Sequence, residues 1–259
     1  MTRILPDSSR ITSPSAFREF FATHGFCAVE PLLDEELLTA TRNRLGDILA
    51  GRTDFPATAF DTERQPTSGG AEPVIRKLKD LARNDEFFAT LARDNRILDL
   101  VQEITGPDIK LHASIGWMKP PHIGSPKSPH QDSAYWTHVE PPEFVVCWIA
   151  IDPATADNGC LNFLPGSHRR GILPHAMLEE WRVPEENVPY DQAVAVPVPA
   201  GGASFHSGKT VHWSGPNHTP HPRRAISFAY MSARCKLAEQ WRGKMSFDLV
   251  RGRSYQGCV

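Results

Sequence analysis

At Gly106-Pro107 the hydrophobic period of this chain changes from that of a helix to that of a strand, which narrows the folds open to it. Upstream, residues 14–104 read as mainly helical. Ser13-Pro14 offers an N-cap with proline in the first turn, Phe17, Phe20 and Phe21 make an apolar stripe, and Gly25 supplies the stop. A second helix is expected from Asp34 to near Gly51, with Glu35 and Glu36 in its first turn and Leu38, Leu45, Ile48 and Leu49 toward one face. Residues 52–73, which include Thr67-Ser68-Gly69-Gly70, have turn composition and are expected to form a mobile loop. Helical spacing returns at Ile75, Leu78 and Leu81 and continues through Phe87, Phe88, Leu91, Ile97, Leu98, Val101 and Ile104.

Downstream the period is two. Ile109, Leu111, Ala113, Ile115 and Trp117 alternate with mostly polar neighbours, as a half-buried strand should. Phe144 to Ile151 is a continuous apolar run suited to a strand buried on both faces. Asn158-Gly159 is a turn signal leading into Cys160 to Leu164, which Pro165-Gly166 ends. Val194 to Val198, Ala203 to His206, Thr210 to Trp213 and Ala225 to Met231 bring the total to about eight short strands. The pattern predicts a mainly β fold with flanking helices, a sandwich or barrel, of which the jelly roll builds ligand sites in its mouth. At 259 residues the chain suits a single domain: residues 14–104 as the helical part, 107–235 as the β core and 236–259 as a C-terminal tail. The segment from Gly166 to Tyr190, rich in His, Glu and Pro, is too long for a simple turn and is expected to cover the mouth.

Composition removes several functions. A net charge of −2 gives no electrostatic argument for nucleic acid or for an anionic membrane. Met1 to Ser13 has no apolar run of signal-peptide length, and no stretch approaches a membrane span. Cys27, Cys147, Cys160, Cys235 and Cys258 are scattered without a CxxC pair, which predicts reduced thiols and a cytoplasmic location rather than disulfides or a structural zinc.

The chemistry is carried by His130-Gln131-Asp132, by His212 eighty residues beyond Asp132, and by Arg223 eleven residues beyond His212. Two imidazoles and one carboxylate suit a mononuclear non-haem Fe(II) site with open positions. An arginine near the second histidine could hold the far carboxylate of an acid cosubstrate through two parallel hydrogen bonds. The triplet alone is weak, since roughly one H-x-[DE] is expected by chance in a chain of this composition. A second one exists, His138-Val139-Glu140, but it runs into Pro141-Pro142, where strand pairing is interrupted. Taken singly, His212 reads as a core histidine and Arg223 as a surface salt-bridge partner; only their combination lifts them. His206 is a rival second histidine whose setting fits a pocket or supporting role better.

Several blocks together resemble the phytanoyl-CoA dioxygenase family. They are His130-Gln131-Asp132, Asn158-Gly159-Cys160-Leu161, Pro165-Gly166-Ser167-His168, and His212-Trp213-Ser214-Gly215-Pro216-Asn217 followed by Arg223. Phe21 with Gly25-Phe26, Gly106-Pro107-Asp108 and Lys119-Pro120-Pro121 fit as well, so the likeness runs over roughly residues 17–232. The resemblance implies a cupin-like double-stranded β-helix and a requirement for Fe(II), 2-oxoglutarate and O2. It implies His130, Asp132 and His212 as metal ligands, and Arg223 as anchor of the far carboxylate with Ser214 beside it. Trp148 would line the cosubstrate pocket, and Lys119 matches less closely. The acid at Asp132, where related halogenases carry a small residue, implies oxygenation and the release of succinate and CO2. Arg224 follows Arg223 directly; the interval favours Arg223, and strand alternation lets only one point inward.

Two readings from other classes stand beside this one: a non-catalytic β-helix that serves as a binding module, and a zinc hydrolase on the same His2Asp set. The substrate is expected to be a small molecule, such as a natural-product intermediate or modified amino acid. Trp117, Gln131, Tyr135, Trp136 and His206 are the candidate substrate contacts, although aromatic residues beside a strand are as often packed core.

Overall fold

The computed structural model describes residues 3–4, 13–64, 73–122, 124–178 and 180–259. Two β sheets lie face to face. The larger runs, in spatial order, through Phe26–Val29, Ala203–Ser207, Val145–Ala150, Arg223–Ser232, Ile109–Lys119, Pro73–Lys79 and Phe60–Arg64, with Asp248–Arg251 added beside one end of Ile109–Lys119. The smaller runs through Arg3–Ile4, Val194–Val196, Leu161–Phe163, His212–Ser214 and Lys127–His130. Every pairing except that of Arg3–Ile4 with Val194–Val196 is antiparallel. This is the open jelly roll that the strand pattern predicts.

Alternation sorts the side chains of the central strands into two layers. From Val145–Ala150, the residues Val145, Cys147 and Ile149 pack with Phe205, Phe228, Phe17, Leu45 and Leu98, which form the interface with the helices. Trp148 and Ala150 face the other way, toward Phe26, Leu161, Phe163 and Val196, between the sheets. Burial of six consecutive residues in this strand follows from its having a covered face on both sides.

The helices Pro14–His24 and Glu35–Leu49 start and stop where the sequence indicates, and Asn95–Thr105 stops at the expected Gly106. Ser13 Oγ accepts the Ala16 N–H, and Gly25, at φ +82°, ends the first helix. A Cβ at Gly25 would fall 2.4 Å from His168 Nδ1, so glycine is needed there for both conformation and space.

Four expectations are corrected. Ile75 and Leu78 are not helical: they lie in Pro73–Lys79, which pairs with Phe60–Arg64 on one side and Ile109–Lys119 on the other. Thr62 pairs with Ile75 and Asp61 with Lys77, so Arg76 is an inserted residue, a β-bulge. That insertion spaces the two apolar side chains by three residues, and the spacing imitates a helix. The hairpin also replaces part of the loop expected over 52–73; residues 65–72 of that expectation lie outside the described residues.

The alternation over Ile109 to Trp117 is likewise broken. Leu111 pairs with Tyr230 and Ala113 with Ala229, leaving His112 as the extra residue. Ile109 and Leu111 therefore face the helices, while Ala113, Ile115 and Trp117 face the space between the sheets.

The segment from Gly166 to Tyr190 packs beside Lys127–His130 rather than over the mouth. Ala176–Met177 and Trp181–Arg182 form a small hairpin, and Val183 N–H donates to the Pro129 carbonyl at 2.8 Å. Among the described residues, no helix is long and apolar enough to cross a membrane.

Candidate active site

His130 closes the strand Lys127–His130, and Asp132 opens the 3-10 turn that follows. Gln131 between them is extended, so His130 and Asp132 project to the same side. His212 pairs directly with His130 across the smaller sheet, which sets the two rings 4.2 Å apart. One strand pairing and one turn thus bring the three side chains together. A ligating atom from each lies within 4.8 Å of the others, and the set could hold a metal ion.

The donor atoms suit that use. Each imidazole is within reach of a carbonyl through Nδ1, His130 of Ser128 at 2.8 Å and His212 of Thr210 at 3.0 Å. A carbonyl can only accept, so Nδ1 carries the hydrogen and Nε2 presents its lone pair toward Asp132. Burial, reinforced by the neighbouring His130, holds the His212 pKa well below its usual value and keeps it neutral. Burial opposes ionisation of Asp132, yet the surrounding His212, His130 and His206 outweigh it and hold the carboxyl well below the usual range.

The two adjacent arginines separate as alternation requires. Arg224 is clasped by Asp152, with Nε–Oδ2 and Nη2–Oδ1 both at 2.8 Å. Arg223 turns into the cavity, 3% exposed, with its guanidinium 5.3 Å from the centre of the Trp148 ring. Its Nε has no hydrogen-bond partner, and burial lowers its pKa to about 10, so it stays charged at neutral pH. A buried, under-satisfied cation of this kind is stabilised by an incoming carboxylate. Ser214 and Lys119 line the same cavity, and the Lys119 ammonium also donates to the Ser125 and Gly215 carbonyls at 2.6 Å. The donor set and the buried guanidinium fit iron and a dicarboxylate cosubstrate.

The cavity of about 210 Å³ lies between the sheets. Trp117, Tyr135, Trp136 and His206 all line it. Trp117 is fixed by donating Nε1–H to Ser227 Oγ at 2.8 Å. Tyr135 packs edge-on to His130, and its hydroxyl bonds the Trp181 carbonyl. Trp136 packs against His112 and Phe144. His206 lies with Nε2 3.2 Å from Asp132 Oδ2, so it touches that carboxylate as well as the open space.

Gln131 does not line the cavity. It is fully buried on the far side, where Nε2 donates to the Gly171 and Lys209 carbonyls and Oε1 accepts the Leu173 N–H. A residue between two that share a face must point the opposite way. Its partners tie the turn between His130 and Asp132 to two loops. His175 joins the same group by accepting the Gln131 N–H at 3.2 Å. The rival pair is also displaced: His138 is 2.9 Å from His112 in an aromatic cluster, and Glu140 is exposed.

The sequence reading missed Arg76, Lys77 and Lys127, which line the cavity near Trp117 and Tyr135. Among the described lining residues Asp132 is the one carboxylate, so a hydrolase would have no second acid to serve as general base.

Comparison with known proteins agrees with this geometry. The family model described as phytanoyl-CoA dioxygenase matches residues 21–225. The phytanoyl-CoA dioxygenase domain-containing protein 1 of Rattus norvegicus is 31% identical over 269 residues, covering 85% of this chain and 90% of its own. A probable alpha-ketoglutarate-dependent hypophosphite dioxygenase of Stutzerimonas stutzeri is 26% identical, covering 81% of this chain and 75% of its own. Among solved structures, apo EctD from S. alaskensis superposes with a TM-score of 0.74 at 21% identity, covering 92% of this chain and 83% of that one. The epimerase SnoN, in complex with Fe3+, alpha ketoglutarate and nogalamycin RO, gives 0.73 at 22% identity, covering 92% of this chain and 100% of that one. The match over most of its length, on a jelly roll that assembles a His-Asp-His set, places this chain in the phytanoyl-CoA dioxygenase family of iron- and 2-oxoglutarate-dependent oxygenases.

Proposed function

We propose that this chain hydroxylates a small-molecule metabolite, with His130, Asp132 and His212 as the iron ligands and Arg223 as the anchor of 2-oxoglutarate. The observation that carries the reading is the buried guanidinium of Arg223, which lacks a partner at Nε and lies in the same cavity as the three ligands. When bound, iron and 2-oxoglutarate supply the oxidising chemistry, in which O2 is consumed, succinate and CO2 leave, and a substrate C–H bond is hydroxylated.

The chain's own residues do the rest. His130 and His212 offer fixed Nε2 lone pairs, and Asp132 offsets part of the metal charge. Arg223 would hold the far carboxylate of 2-oxoglutarate with Ser214 beside it, and Trp148 packs against the guanidinium. Ala113, Ile115, Val146 and Ala229 give the cavity apolar walls that exclude water, so the charged contacts act in a low dielectric. Trp117, Tyr135 and Trp136 border the space left for substrate.

The test is anaerobic. Fe(II) followed by 2-oxoglutarate should produce the weak visible charge-transfer band of the chelate. A folded, iron-loaded protein that shows no band overturns the assignment.

His206 acts through Asp132 as a positioning residue. Its Nε2–H donates to Oδ2, a contact that would fix the plane of the carboxylate that is to hold the metal. His206→Ala is expected to weaken Co(II) binding, read from its visible spectrum, by roughly 10- to 100-fold. His206→Gln keeps a donor at similar reach and should recover most of that loss. Unchanged Co(II) affinity in the alanine variant would show that the contact does not orient Asp132.

A further inference from the structure

Arg76 and Lys77 are consecutive, and both line the cavity. A regular strand sends neighbouring side chains to opposite faces, so this arrangement needs the bulge at Arg76. The inserted residue re-aims the strand and brings two cations to one wall. Lys77 is the register partner of Trp117, and its ammonium lies 5.1 Å from the centre of the indole ring. Lys127 approaches from the smaller sheet, on the side of Tyr135.

The wall is therefore electrically lopsided. Arg76, Lys77, Lys119, Lys127 and Arg223 are its cationic side chains, and Asp132 is its one carboxylate among the described residues. Among the described residues, two carboxylates reach Lys77 and Lys127 from outside the wall. Glu180 is committed to Lys127, which also meets the Tyr135 hydroxyl at 3.2 Å. Asp61 stands 4.0 Å from the Lys77 ammonium and is 45% exposed, a distant and well-solvated partner of little strength. Lys77 itself is 26% exposed. Burial lowers its pKa, and the nearby charges of Arg76 and Lys127 lower it further.

The proposed iron centre does not absorb this excess. Fe(II), the 2-oxoglutarate dianion, Asp132 and Arg223 together carry no net charge, so Lys77 is left to face whatever occupies the remaining space. Clustering like charges in a partly buried wall costs stability unless an opposite charge arrives.

We propose that Lys77 binds an oxyanion of the substrate, a carboxylate or a phosphorus-centred group, while the body of the substrate lies along Trp117. The substrate class is then a compact acid with a planar or apolar body, and the acid end points away from the metal. The inference rests on the oxygenase reading of the same cavity.

The experiment uses protein loaded with Fe(II) and 2-oxoglutarate under argon, titrated with phenylacetate, benzylphosphonate or the neutral phenylacetamide. Tryptophan fluorescence reports binding, and the charge-transfer band of the same samples reports the metal centre. At least one acid should bind about tenfold or more tightly than the amide, as expected for a charge-assisted hydrogen bond. Which acid does so identifies the oxyanion. Lys77→Met, which keeps the hydrocarbon stem over Trp117, should remove the preference, whereas exchange of the exposed Lys244 for Met should retain it. Equal binding of acid and amide, or a preference that survives Lys77→Met, overturns the assignment of Lys77. Either result in samples that show the band leaves the oxygenase reading standing.

Discussion

Asp132→Ala is expected to abolish succinate formation and to lower metal affinity by more than about 100-fold, the upper range for losing a mere supporting contact. The reason is both charge and geometry. Asp132 is the anionic member of the set, and without it His130 and His212 offer a divalent ion two neutral donors from one side. The variant should still fold, because the Asp132 side chain is 18% exposed and makes its close contacts with imidazoles rather than with the core. A thermal melt separates the two effects. Wild type at a metal concentration 100 times its Kd gains about 2.7 kcal/mol of stability. The variant should melt near metal-free wild type and gain almost nothing when metal is added. Succinate production at the wild-type rate would remove Asp132 from the metal site.

Arg223→Ala should act on the cosubstrate and leave the metal in place. Truncating one partner of a buried, hydrogen-bonded charge pair costs about 2–5 kcal/mol, which corresponds to roughly 30-fold to several-thousandfold weaker 2-oxoglutarate binding. The KM for 2-oxoglutarate should rise accordingly, and Co(II) affinity should stay within a few-fold of wild type. Without cosubstrate, Arg223 is a buried charge with an unbonded Nε, so its removal should cost the fold little beyond the space it leaves. Arg224→Ala gives the contrast. It breaks the clasp with Asp152, and should lower stability while 2-oxoglutarate affinity holds. If the alanine at 224 raised the KM and the one at 223 did not, the two roles would be reversed.

Much of this site is visible in the chain itself, for physical reasons that differ by residue. His130 and Asp132 are legible because two side chains on one face need a spacing of two, and His212 because its strand ends in a recognisable block. Arg223 and Arg224 are distinguished only by pairing: the register that sets Arg223 opposite Lys119 also sends Arg224 toward Asp152. Gln131 carries its own signal, since alternation alone directs it away from its neighbours' cavity. Lys77 is hidden by a different effect. The bulge at Arg76 gives Ile75 and Leu78 a helical interval, and a lysine on an apparent helix gives no reason to look toward the metal. Bulges depend on the partner strand, so local periodicity does not report them.

The opposed pair Arg223 and Arg224 has a consequence for how the protein is handled. A misalignment of Arg223–Ser232 by one position would turn Phe228 into the cavity, carry the wrong guanidinium inward and release Asp152. No such molecule could take up 2-oxoglutarate, however compact it looked by size or by circular dichroism. Cosubstrate stoichiometry is therefore a head-count of correctly aligned molecules, and every specific activity should be divided by it.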